Sequence, residues 1–201
     1  FVNFLSPINC NNLLSSSSPL SQQEVAVKIK QTHNLTVLLK QCSEQLLAEY
    51  VHHQGEPFNS PDFNPPAMAV PGLPSPPVPP ETWLALSDGE RLWHLAKAYA
   101  VLPGLLGSMW RQQVELNPLA SELHQQLEAA ARQCRGLAGN LGSIMGSLGV
   151  PRPPPPSPVL GTAPASTFLI KLSGYHMCRL HQDWATRSHD ALVLLGTKYP
   201  L

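Results

Sequence analysis

A chain of 201 residues supplies material for one ordinary domain, or for one domain with tails. Thirteen basic residues against thirteen acidic ones leave no net charge, which argues against a nucleic-acid binder that works by displacing counterions. No apolar run reaches the roughly 18–20 residues a membrane-spanning helix needs, so no membrane insertion is expected.

The chain starts at Phe1, and its N-terminus reads as incomplete. Residues 1–20 hold no basic start followed by an apolar core, so no secretory leader is expected among them. The serine run Ser15–Ser18 followed by Pro19 predicts a disordered N-terminal segment over 1–20, ahead of a domain over 21–201.

The first helix is predicted over 22–53. Ser21 followed three positions later by Glu24 has the form of a capping box. Apolar or small residues then recur at Val25, Ile29, Thr32, Leu35, Leu39, Cys42, Leu46 and Tyr50, in steps of three and four that make one helical stripe. Gly55 and Pro57 end it, after a run of roughly 48 Å at about 1.5 Å per residue. Ten prolines from Pro57 to Pro80 then rule out continuous helix in a long connection over 54–86.

A second capping box, Ser87 with Glu90, predicts a helix over 88–115 with a stripe of Leu92, Leu95, Tyr99, Leu102, Leu106 and Met109. Pro103 lies inside that stripe and is expected to bend the helix, because it lacks an N–H and crowds the carbonyl of Tyr99. Asn117 before Pro118 reads as an N-cap and first helical position, so the third helix is predicted over 118–148, antiparallel to the second. Its stripe is Leu119, Leu123, Leu127, Ala130, Cys134, Leu137, Leu141, Ile144 and Leu148, and Gly149 and Pro151 stop it. The proline-rich stretch over 150–165 is the second long connection. Extended as polyproline II it reaches roughly 50 Å, against about 45 Å for a return along the third helix. That match predicts a parallel pair formed by the third and fourth helices. The fourth is predicted over 168–195, capped by Ser166 or Thr167. Its apolar positions Leu169, Leu172, Tyr175, Cys178, Leu180, Trp184, Ala191 and Leu195 spread over more than half the circumference and do not fix a buried face.

Two crossovers long enough to carry the chain back along a whole helix imply an all-α fold: an up-up-down-down long-chain four-helix bundle. Among soluble proteins that topology points to helical cytokines.

Candidate chemistry is sparse. Of the four cysteines, at 10, 42, 134 and 178, Cys42, Cys134 and Cys178 fall within helical patterns without metal-site spacing, so most are expected to be unpaired thiols packed as small hydrophobes. His52 and His53 are adjacent and diverge by about 100° on a helix, while His176 and His181 fall on different faces. No metal or cofactor site is expected. No nucleophile elbow and no glycine-rich phosphate loop is present, so no enzyme is expected either. Asn34 with Thr36 forms a glycosylation sequon on the outward side of the first helix. Phe168, with Lys171 three residues on, opens the fourth helix. An isolated Phe-x-x-Lys more often closes a bundle end than binds a partner, but its place directly after a long crossover gives it weight.

Several runs in order along residues 25–195 bring the chain near a known group. They are Ile29–Leu35, Glu44–Val51 with Gln54–Phe58, Val101–Pro103, Glu115–Pro118, Leu127–Gln133, and Gly174–Cys178 with Trp184. On these the chain resembles the cardiotrophins of the interleukin-6 cytokine family. Two stretches depart from that pattern: the Ser/Asn-rich first twenty residues, and Pro80–Leu86 around Trp83, which leaves the subtype open. In that family the Phe-x-x-Lys opening the fourth helix forms the site for the leukaemia inhibitory factor receptor, so the resemblance assigns that role to Phe168 and Lys171. The family meets its shared signal-transducing receptor through outward faces of the first and third helices. Stripe geometry places Lys30, Asn34, Gln41 and Gln45 on the first such face, with Gln125, Glu128 and Arg132 on the other; a glycan on Asn34 would obstruct it. The expected function is a secreted, non-catalytic cytokine that joins these two receptors, with a third, non-signalling subunit left open. The alternatives are an exchangeable lipid-binding protein, whose amphipathic helices usually carry many more lysines and arginines, and a bundle metalloenzyme, which needs paired Glu-x-x-His motifs absent here.

Overall fold

A computed structural model describes residues 21–157 and 166–201, and the expected N-terminal lead-in lies outside them. Six helices follow in order: α1 (Gln22–Gln54), α2 (Pro80–Trp83), α3 (Asp88–Tyr99), α4 (Leu102–Leu116), α5 (Ser121–Leu148) and α6 (Thr167–Lys198). The described residues contain no strand.

Both capping boxes form. The Ser21 hydroxyl accepts from the Glu24 amide at 3.3 Å while the Glu24 carboxylate accepts from the Ser21 amide at 2.7 Å. Ser87 and Glu90 repeat the arrangement at the head of α3. Ser166 caps α6 by accepting from the Leu169 amide.

Two boundaries differ from expectation. Pro103 does not bend one continuous helix; the second bundle rod is broken at Ala100–Val101 and restarts as α4, with Pro103 in its first turn. There a proline costs little, because first-turn amides have no partner within the helix. The third rod starts at Ser121, three residues later than Asn117–Pro118 suggested. Asn117 has φ −134° and ψ 65°, and its carbonyl accepts from the Ala120 amide to close a turn. Leu119, expected in the buried stripe, consequently projects outward at 95% exposure.

Direction follows from the contacts between rods. Tyr50 of α1 meets Lys171 of α6, while His33 meets His189, so these helices are antiparallel. Cys42 meets Gln133 and Leu35 meets Gly136, so α1 and α5 are antiparallel too. Tyr99 meets Ser188 and Asp88 meets Lys198, which sets α3 against α6. The result is up-up-down-down. α5 and α6 run parallel as expected, but each packs mainly on antiparallel neighbours, so they face one another across the core rather than side by side.

The core is one continuous cluster running from Val25 and Ile29 of α1 through Leu92, Leu95, Leu106, Leu123, Leu137 and Ile144 to Leu192 and Leu195 of α6. Thr36 and Ser43 take buried places beside the expected stripe of α1, where Leu35 and Cys42 are only half-buried. Their hydroxyls, with that of Thr32, donate to carbonyls three or four residues back, at 2.7 Å in each case. These polar groups are therefore satisfied within their own helix.

The first crossover is a strap bolted to α6. Trp83 of α2 is 1% exposed, and its indole N–H donates to the Arg187 carbonyl at 3.1 Å. Reciprocally, the Trp184 indole of α6 donates to the Pro74 carbonyl of the strap at 3.0 Å. The second crossover lies partly outside the described residues. At its start Arg152 donates to the Gly142 carbonyl at 3.0 Å, laying the chain against the end of α5.

Cys42, Cys134 and Cys178 are unpaired, and Cys10 lies outside the described residues. Burial pushes the thiols of Cys134 and Cys178 well up. Deep in the core the His181 imidazole sits 3.5 Å from the Cys134 sulfur through Nε2, with Nδ1 unpartnered. Burial holds its pKa down at about 4. The unfolded chain takes up that proton near pH 6.5, the bundle only near 4, so stability present above about pH 6.5 is lost as pH falls through this window. A loss of about 3 kcal/mol between pH 7 and 4 is expected from denaturant titrations, and His181→Leu should flatten that slope.

Candidate functional site

Four rod ends meet at one end of the bundle: the C-termini of α1 and α4 and the N-termini of α5 and α6. Hydrogen bonds tie three of them. Gln54, the last residue of α1, donates from Nε2 to Gln113 Oε1 of α4 at 2.9 Å. The Lys171 ammonium of α6 donates to the Gln54 carbonyl at 2.8 Å. The Tyr50 hydroxyl donates to the Lys171 carbonyl at 2.9 Å. Lys171 therefore caps the carbonyl end of α1, where a cation is also favoured by the helix dipole.

Phe168 stands one turn before Lys171 and is 48% exposed. Its inner side rests on Phe58 of the strap, ring centroids 5.5 Å apart. Phe58 is buried and packs on Phe63 at 4.9 Å, and Phe63 on Tyr175 at 5.3 Å. Phe168 is thus the outermost ring of a four-ring aromatic shelf, neither sealed inside nor free of support. Leu169 beside it is 41% exposed. The Phe-x-x-Lys spacing suggests a free ammonium, whereas Lys171 is already engaged. Its partner lies 117 residues away in sequence, and no local signal points to it.

One glycine fixes this end. A Cβ on Gly174 would come within 2.1 Å of the Tyr50 hydroxyl. The hydroxyl end of the tyrosine fits against α6 only because that position has no side chain. Gly174→Ala must displace Tyr50 and its bond to Lys171. Overpacking of this kind is expected to cost about 1–3 kcal/mol, or a melting temperature lowered by about 2–12 °C, readable by circular dichroism.

Lys30, Gln41 and Gln45 of α1, and Gln125, Glu128 and Arg132 of α5, are all exposed. Cys42 touches Gln133 at 3.5 Å, which brings Gln41 and Gln45 level with Arg132, itself 3.4 Å from Glu128. Lys30 stands apart, about 16 Å further along α1 from Gln41. Asn34 is exposed between them. Sequence reasoning missed Val37 and Leu38, which are 46% and 48% exposed on the outer side of α1. Their departure from the three-four stripe was the available signal. Trp110 and Val114 of α4 are exposed as well.

No helix among the described residues is long and apolar enough to cross a membrane. Paired long crossovers, antiparallel neighbours and an outward aromatic on the fourth rod define a long-chain helical cytokine. Comparison with known proteins narrows the class. A family described as plethodontid receptivity factor matches residues 9–200, starting inside the segment expected to be a lead-in. The chain is 44% identical over 172 residues to cardiotrophin-1 of Mus musculus, covering 82% of this chain and 83% of that one. Against cardiotrophin-1 of Homo sapiens it is 42% identical over 170 residues, covering 82% and 83%. Cardiotrophin-2 of Mus musculus is 37% identical over 188 residues, covering 92% and 90%. The chain belongs to this family, and is a cardiotrophin-like cytokine of the interleukin-6 family.

Proposed function

We propose that this cytokine is secreted and signals by bringing together the leukaemia inhibitory factor receptor and the shared signal-transducing receptor of the interleukin-6 family. It has no catalytic role. Phe168 is the anchor for the first receptor, and Lys171 holds that anchor's turn against the end of α1. The single observation carrying this reading is a half-exposed phenylalanine on a packed aromatic shelf, the form a binding hot spot takes. Lys30, Gln41, Gln45, Gln125, Glu128 and Arg132 are assigned to the second receptor. Val37 and Leu38 supply apolar surface near the α1 part of that face, where Lys30, Gln41 and Gln45 are polar. A glycan on Asn34 would stand between Lys30 and Gln41 and block it. A third, non-signalling subunit is compatible with this arrangement, since the two faces use different ends and sides of the bundle.

The test is binding of the purified chain to each receptor ectodomain separately, with Phe168→Ala and a Gln41→Ala/Arg132→Ala double variant. Each is expected to weaken binding to one receptor only. Loss of both interactions by one variant, or of neither, refutes the assignment.

A further inference from the structure

The rings of His33 on α1 and His189 on α6 lie with centroids 5.4 Å apart, tilted by 41°. They are 156 positions apart in sequence and meet only because α1 and α6 are antiparallel neighbours. Two imidazoles on one tetrahedral zinc, with Zn–N about 2.0–2.1 Å and each centroid about 1.2 Å beyond its nitrogen, have centroids about 5.3 Å apart. The observed spacing matches.

A second observation concerns the tautomer. His189 Nδ1 lies 3.1 Å from Asp190 Oδ1. Donating that N–H to a carboxylate leaves Nε2 with its lone pair, the carboxylate–histidine arrangement that orients and strengthens metal-bound imidazoles. Both rings reach solvent, His189 with its side chain 28% exposed and His33 half-buried.

We propose that His33 and His189 bind a divalent transition ion of the zinc class, clamping α1 to α6 midway along the bundle, with Asp190 as the positioning residue. No group of three or more potential protein ligands surrounds any point among the described residues, so this is a two-imidazole site with its other positions open to water. His52 and His53 are also close, at 5.1 Å, but they are successive residues of one helix and His53 is 2.9 Å from Glu49. They provide an internal control.

The experiment is calorimetric titration of zinc chloride into the full chain with thiols kept reduced, paired with thermal melts. One ion per chain is expected, with a melting temperature raised by several degrees at saturation. His33→Gln and His189→Gln should each weaken binding at least tenfold and abolish the thermal shift, and Asp190→Asn should weaken it by about 10-fold or more. His52→Gln/His53→Gln should behave as the unsubstituted chain. The proposal is overturned if zinc does not bind, if binding survives both His33→Gln and His189→Gln unchanged, or if it disappears in the His52/His53 variant.

Discussion

Phe168→Ala is expected to weaken binding to the leukaemia inhibitory factor receptor ectodomain by about 30-fold or more, the loss of about 2 kcal/mol typical of an aromatic hot spot. Its melting temperature should change little, because about half of the ring faces solvent and only its inner side packs, on Phe58, which stays held by Phe63. Lys171→Ala should behave differently. It strips a charged donor from the last turn of α1, and about 1–3 kcal/mol of stability is expected to go with it. Surface-plasmon measurements beside thermal melts separate the two outcomes. A Phe168→Ala protein that binds with unchanged affinity removes the site assignment, whatever Lys171 does.

Trp83→Ala is expected to be the most destabilising single change in the strap. The indole is fully enclosed, 6.2 Å from Trp184 and beneath the Arg187 guanidinium at 5.2 Å. Arg187 is itself buried and bonded to Asp183 at 2.9 Å. Removing the ring opens a cavity under that cation and strands the Arg187 carbonyl's second acceptor position. A cost of about 3–5 kcal/mol follows, or about 6–20 °C in melting temperature. Trp83→Phe should recover most of it, because the packing returns and only the indole hydrogen bond is lost. A Trp83→Ala melt within a degree or two of the parent would show that the strap is not held this way.

What could be read from the chain was what is local. Both capping boxes depend on residues three apart, and α1 and α3 start where Ser21 and Ser87 say they do. The two proline-rich segments argued against continuous helix, and their length implied the direction of each rod. Where reading failed, a neighbour in space decided. Asn117–Pro118 is a sound helix start by local chemistry, yet the chain spends three more residues turning before α5 begins. The buried face of α6 could not be chosen by periodicity because the strap also covers part of it. That is why Trp184 and Arg187 are buried under the strap while Ser188 is buried against Tyr99 of α3. Of the histidines, sequence spacing drew attention to His52 and His53, while His33 and His189 came together only through the packing of the first rod on the last. At the end of the bundle where four rods meet, Phe168 and Lys171 were singled out by resemblance. The engagement of Lys171 with Gln54, and the bare surface at Gly174 that admits Tyr50, were not.

The first crossover is fastened twice, near its start through Phe58 and again through Val70, Leu73 and Trp83, while Ala67, Met68 and Ala69 between these points are open to solvent. Slack introduced there would be absorbed between two fixed moorings. Lengthening a loop adds only a logarithmic entropy term. This short span is therefore where a tag or label can be spliced in while the rods, and both surfaces assigned to receptors, keep their positions.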